Sequence, residues 1–121
     1  MLGLPEDTIH TMNDTINFAL SLDLDYAKAT ILVPLPSTPV FAEFEKRGLL
    51  KTKDWSRYNF HTASRVYNHP KLSWGVLEKY YDKFHKKFYF RPTYMIKRLF
   101  LSIKKGELLD NIKTAFNTFI K

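Results

Sequence analysis

The residues able to do chemistry are few and scattered. Four histidines occur, His10, His61, His69 and His85. No pair has the spacing that puts two imidazoles on one helix face for zinc. His61 is the best placed of them, because it lies among aromatics in a long irregular stretch, and such stretches can cover active sites. There is no cysteine. Structural disulfides, thiolate zinc sites and cysteine-held iron–sulfur clusters are therefore excluded within this chain. No serine–histidine–acid set or carboxylate pair can be assembled for nucleophilic or acid–base catalysis. Asp54 and Arg57 are three apart, a spacing that allows a local pair. Trp55, Tyr58 and Phe60 have two open readings: they line a flat substrate such as a tetrapyrrole, or they staple the loop that carries them.

Two short stretches have a turn chemistry of their own. One is Leu2-Gly3-Leu4-Pro5-Glu6-Asp7-Thr8. The other is Val33-Pro34-Leu35-Pro36-Ser37-Thr38-Pro39. Glycine lets a backbone come close to a ligand, and prolines fix a loop that offers few donors.

The elements around them follow from periodicity and punctuation. Met1 to Leu4 reads as the end of a strand. Pro5-Glu6-Asp7-Thr8 opens a helix, with proline in the first turn and acids at the positive end of the dipole. Ile9, Met12, Ile16, Ala19 and Leu20 keep helical spacing up to Asp23-Leu24-Asp25. Tyr26 to Val33 is apolar on both faces towards its end, as in a buried parallel strand, and Pro34 stops it. Thr38 caps a short helix with Pro39 in its first position, and Gly48 ends it. The first fifty residues thus read strand–helix–strand–helix, a βαβ arrangement. Two parallel strands need neighbours, so this half implies truncation or assembly with a partner.

Residues 51–72 are irregular, polar and aromatic. Ser73 caps a helix with Leu77, Tyr80, Tyr81, Phe84 and Phe88 on its apolar face. Pro92 opens another, with Met95, Ile96, Leu99, Phe100 and Ile103, up to Gly106. A last helix carries Leu108, Leu109, Ile112, Ala115, Phe116 and Phe119. Three amphipathic helices in series make a helical subdomain or a helical layer. The fold class is α/β to α+β and predominantly helical.

Aromatics at 16% and apolar residues at 45% of the chain are enough for a core, which excludes wholesale disorder. The net charge of +7 is uneven. Residues 1–70 hold 7 Lys/Arg and 8 Asp/Glu, whereas residues 71–121 hold 12 and 4. A basic half is either a solvated helical face, a dock for an acidic domain, or a surface for nucleic acid or anionic membrane. Aromatics between Phe84 and Tyr94 interleave with Lys83, Lys86, Lys87 and Arg91, a pattern that can grip single strands. They also keep helical spacing, which fits a core stripe, and no nucleic-acid module signature is present. The N-terminus lacks a basic segment followed by an apolar run, so no signal peptide is expected. The longest apolar run is far short of the roughly 20 residues that span a bilayer. The expectation is a soluble, cytoplasmic protein.

The two turns, in this order and about twenty-five residues apart, resemble successive units of the radical SAM barrel. In cobalamin-binding members these are a GLPxET turn and a PxPGTP turn. Gly48-Leu49-Leu50, Asp54-Trp55-Ser56-Arg57-Tyr58 and Phe88-Tyr89-Phe90-Arg91-Pro92-Thr93-Tyr94 are similar to the C-terminal extension of the group that includes anaerobic magnesium-protoporphyrin monomethyl ester cyclase. The sequence departs from that pattern at Ser37, where the family has glycine, and the Gly3 turn is one residue shorter than the common form. The family's CxxxCxxC motif and N-terminal cobalamin domain are absent.

The resemblance implies a division at residue 50. Residues 1–50 would be terminal units of a partial TIM-like barrel, starting at about its fifth strand, and residues 51–121 an aromatic loop with a helical extension. It implies that the intact enzyme is an oxidoreductase, cyclase or methyltransferase using SAM and a [4Fe–4S] cluster, with or without cobalamin. It assigns Leu2, Gly3, Leu4, Val33, Pro34, Leu35 and Pro36 to contacts with SAM, and Trp55, Tyr58 and His61 to substrate. The chain alone is then inactive and binds no cofactor, and its partner is the rest of the barrel with the cobalamin domain; a homodimer is the other way to cover the sheet edge. The contrasting reading is a stand-alone basic helical module for nucleic acid, anionic membrane or a protein.

Overall fold

The computed structural model describes residues 1–59, 63–106 and 108–119, and within the last stretch the side chains at 110, 112–114, 116 and 117. The chain is predominantly helical. Its α-helices are α1 (Ile9–Ser21), α2 (Pro39–Lys46), α3 (Trp74–Tyr89), α4 (Pro92–Lys105) and α5 (Leu108–Phe119), with 3₁₀ turns at Trp55–Arg57 and Ala63–Arg65. Contacts divide it into two compact units, Met1–Lys86 and Lys87–Lys121.

In the first unit the expected strands shrink to one bridge. Leu2 and Ile31 pair in parallel. The Leu2 N–H donates to the Thr30 carbonyl at 2.9 Å, and the Leu32 N–H donates to the Leu2 carbonyl at 3.0 Å. No sheet or barrel forms among the described residues. The physical reason is the one that made the pair suspect in the sequence: two segments without outer neighbours cannot sustain a ladder. What survives is the parallel sense and the burial of both faces. Ala29 and Ile31 enter a core with Leu2, Met12, Ile16, Leu77 and Phe84, so α1 and α3 cover that side. Leu32 and Val33 enter a second core with Phe44, Ala63, Val66 and Tyr67. A second bridge, antiparallel, joins Leu50 to Tyr67.

The helix ends follow local chemistry, with one correction. Pro5 does not open α1. Pro5 and Glu6 lie in a turn, and α1 begins at Ile9 behind the N-cap Thr8. The Thr8 hydroxyl accepts from the Thr11 N–H, and the Thr11 hydroxyl accepts from the Thr8 N–H, which closes a reciprocal box. Asp7 completes it by accepting from Thr11 Oγ1 at 2.8 Å and from the Leu4 N–H at 2.9 Å. The acid that was expected to serve the helix dipole instead ties the turn to the helix. At α2 the expectation holds: Thr38 Oγ1 accepts from the Phe41 N–H at 3.2 Å, Pro39 occupies the first turn, and Gly48 follows with φ +67°. Ser73 caps α3 through its hydroxyl, which accepts from the Val76 N–H.

The second unit starts with an aromatic knot. Phe88, Tyr89 and Tyr94 have ring centroids 5.0 to 5.7 Å apart, and the Arg91 guanidinium lies 4.4 Å over the Phe88 ring. Pro92 opens α4, and Gly106, at φ +71°, ends it. Helices α4 and α5 pack on each other.

Candidate functional site

The parallel bridge fixes where a site can form. The turns after Leu2 and after Ile31 lie at the same end of the pair, the end at which α/β folds bind ligands. Of the seven residues expected to meet SAM, four are buried. Leu2, Gly3, Val33 and Pro34 support the rim from inside. Leu4 and Leu35 are 45% and 46% exposed, and Pro36 is exposed beside them in sequence. Of the seven, the exposed ones are thus two leucines and a proline, beside the exposed Glu6 and Ser37 of the same turns.

Gly3 has φ +73°, a conformation that glycine adopts freely. A Cβ there would come within 3.1 Å of Leu77 Cδ2 and 3.5 Å of Ile31 Cγ2. The missing side chain leaves room for Leu77 of α3. Ser37 has φ +65°. A serine in this left-handed region carries strain of about 1 kcal/mol.

His69 builds the Leu4 turn. Its Nδ1 accepts from the N–H groups of Lys71 at 3.1 Å and Leu72 at 3.0 Å. Nδ1 therefore carries no proton, and the neutral ring holds its hydrogen on Nε2. Nε2 lies 2.9 Å from the Leu4 carbonyl and donates to it. Lys71 pairs with Glu6 of the same turn, and this holds the exposed Glu6 carboxyl below its usual range. His69 is buried. Its partner is 65 positions away, so no local signal could have raised it above His61. His61 itself lies outside the described residues. His10 pairs with Asp14 on the surface of α1 at 3.4 Å, and His85 Nδ1 lies 2.9 Å from the Tyr81 carbonyl within α3.

The Val33 loop is held similarly. The Tyr67 hydroxyl, fully buried, donates to the Leu32 carbonyl at 2.8 Å, and burial pushes its pKa far above the ordinary tyrosine value. The Trp74 indole N–H donates to the Tyr67 carbonyl at 2.8 Å. Trp55, Tyr58 and Phe41 form one aromatic cluster, with Trp55 and Tyr58 centroids 4.9 Å apart and Phe41 5.8 Å from Trp55. Tyr58 donates to the Thr52 carbonyl, and burial raises its pKa. Asp54 caps the 3₁₀ turn: its side chain accepts from Ser56 Oγ and the Ser56 N–H, which lowers its pKa, and it pairs with Arg57 at 3.2 Å. The cluster ties loop to α2 while leaving Trp55 half exposed.

A cleft of about 270 Å³ beside α3 is lined by Ile31, Trp74 and Tyr81 with the carboxylates of Glu78 and Asp82. An apolar one of about 280 Å³ lies at the opposite end of the bridge, under Phe18, Leu22 and Tyr26. Among the described residues no three His, Cys, Asp or Glu side chains converge for a metal, and no helix is long and apolar enough to cross a membrane. An iron–sulfur cluster does not fit these residues, because its thiolate ligands are lacking.

No protein-family model matches the sequence, and no solved structure matches the chain. The chain is similar to two curated proteins. An uncharacterised methyltransferase of Pyrococcus horikoshii is 33% identical over 100 residues, covering 83% of this chain and 21% of that protein. The anaerobic magnesium-protoporphyrin IX monomethyl ester cyclase of Cereibacter sphaeroides is 28% identical over 123 residues, covering 96% of this chain and 20% of that protein. The chain spans about a fifth of the length of these relatives.

Proposed function

We propose that the chain is the C-terminal portion of a radical SAM enzyme, a methyltransferase or an oxidoreductase of the cyclase type, and that it supplies one wall of the SAM pocket and a helical cap. The observation that carries this reading is the parallel Leu2–Ile31 bridge, which puts the exposed Leu4 and the exposed Leu35 at one end of the pair. The similarity to a methyltransferase and to a cyclase supports the same class.

Residues 1–50 are, on this reading, the terminal βα units of a partial barrel, and residues 51–121 the extension. The extension's first part folds back on those units through Tyr67 and His69. Leu4, Leu35 and Pro36 lie against the adenine and methionine of SAM. Leu2, Gly3, Val33 and Pro34 hold the rim in shape. Trp55 and Tyr58, with His61, face the substrate. A [4Fe–4S] cluster, held elsewhere in the enzyme, would supply the electron that cleaves SAM, and cobalamin would occupy a separate domain. The partner is the remainder of that enzyme, and the setting is cytoplasmic.

The chain alone lacks cluster ligands and has only part of the pocket. Calorimetric titration with SAM, followed by a SAM-cleavage assay after iron–sulfide reconstitution, is expected to show little affinity and no turnover. Reductive cleavage of SAM by the isolated chain would overturn the reading.

A further inference from the structure

The apolar face of α4 points away from its own unit. Ile96 and Phe100 are 56% and 69% exposed, and Met95, Leu99 and Ile103 are exposed with them. Stepping about 100° per residue, these five form one stripe. The buried Ser102 borders the stripe beside Met95. On α5, Ile112 and Phe116 are exposed as well. Folding in water does not leave such a stripe open without a use.

The charge around it is one-sided. Residues 87–121 hold eight Lys/Arg and two Asp/Glu. On the same wheel, Lys97 and Lys104 border one edge of the α4 stripe and Arg98 the other. Long cationic side chains beside an apolar stripe are the arrangement of a helix lying in a bilayer interface, with the alkyl stems along the acyl boundary and the charges among anionic headgroups.

We infer that α4, with Ile112 and Phe116 of α5, docks flat on an anionic lipid surface. The inference goes beyond the proposed SAM chemistry and does not rest on it. A second copy of the chain is disfavoured as occupant, because it would bring eight more cations against two acids. Nucleic acid is disfavoured because the stripe is mainly aliphatic, whereas single strands need aromatic platforms. Spanning is not involved, since no described helix is long and apolar enough to cross a membrane.

The test is co-sedimentation of the full 121-residue chain with vesicles of phosphatidylcholine alone or with about a third phosphatidylglycerol, with circular dichroism as the folding control. The expected result is binding to the anionic vesicles only, weakened at high salt. Lys104→Gln weakens it roughly fivefold. Phe100→Glu weakens it about tenfold or more without loss of helix, since the side chain is exposed. Equal binding to both vesicle types, or none to the anionic ones, would overturn the inference. So would a dimer in sedimentation that Phe100→Glu dissolves, or binding to single-stranded DNA or RNA without binding to vesicles.

Discussion

Gly3, Ser37 and Gly48 are close in backbone conformation and differ in what surrounds them. Ser37 carries a Cβ in the left-handed region. Ser37→Gly is expected to stabilise the chain by about 0.5–1 kcal/mol, the strain relieved less the entropy that glycine adds to the unfolded chain. Gly48 has nothing within 4 Å of an added Cβ, while at Gly3 that atom meets Leu77 at 3.1 Å. Gly48→Ala is expected to cost about 1 kcal/mol and Gly3→Ala about 2–3 kcal/mol, the excess being the contact. Urea unfolding of the three variants checks the order, and equal costs at the two glycines would remove the packing role of Gly3. His69→Ala takes a donor from the Leu4 carbonyl and the acceptor from two backbone N–H groups. A loss of about 2–4 kcal/mol is expected in the same assay. The sequence singled out Ser37 because it departs from a motif that has glycine there. It could not point to His69, whose role depends on a carbonyl brought near by folding.

At the level of elements, legibility tracked how local the determinants are. Thr38-Pro39, Ser73, Pro92 and Gly106 act within one helical turn, and each helix end they imply is where it was expected. The start of α1 was misplaced because two signals compete there. Pro5 suits a first turn, but Thr8 closes a box with Thr11 and Asp7 is engaged by Leu4 and Thr11. The strand at residues 26–33 was read correctly for burial and direction, yet only one bridge forms, because a ladder depends on neighbours that no local pattern supplies. Tyr67 couples the elements by donating to the Leu32 carbonyl. Its neutral form is favoured by folding, so its contribution is complete below the ordinary tyrosine pKa and falls away as pH rises above it. Tyr67→Phe is expected to cost about 1–2 kcal/mol at neutral pH and to flatten the alkaline fall in stability. Denaturation followed from neutral to strongly alkaline pH checks this; an unchanged alkaline fall in the variant would assign it to other groups.

For the molecule as a whole, the two halves of the sequence carry different information. Residues 1–86 fold into one unit whose two turns share an end, and the βα order of the sequence foretold that arrangement. Of the seven residues that the resemblance assigns to a cofactor, packing buries Leu2, Gly3, Val33 and Pro34 and leaves Leu4, Leu35 and Pro36 exposed, a division that was not legible because it depends on tertiary packing. Residues 87–121 carry most of the net charge and an apolar stripe that their own fold does not cover. Periodicity identified that stripe correctly; which side of the helix is covered depends on tertiary packing.

The most direct measurement grafts this chain in place of the similar stretch of the Cereibacter sphaeroides cyclase, and compares SAM affinity with that of the same graft carrying Leu4→Glu and Leu35→Glu. Both positions are exposed, so the fold should survive the substitutions. The expected result is SAM binding by the graft and a loss of about tenfold or more in the substituted form. A folded graft that binds SAM equally well with and without the two glutamates would contradict the account.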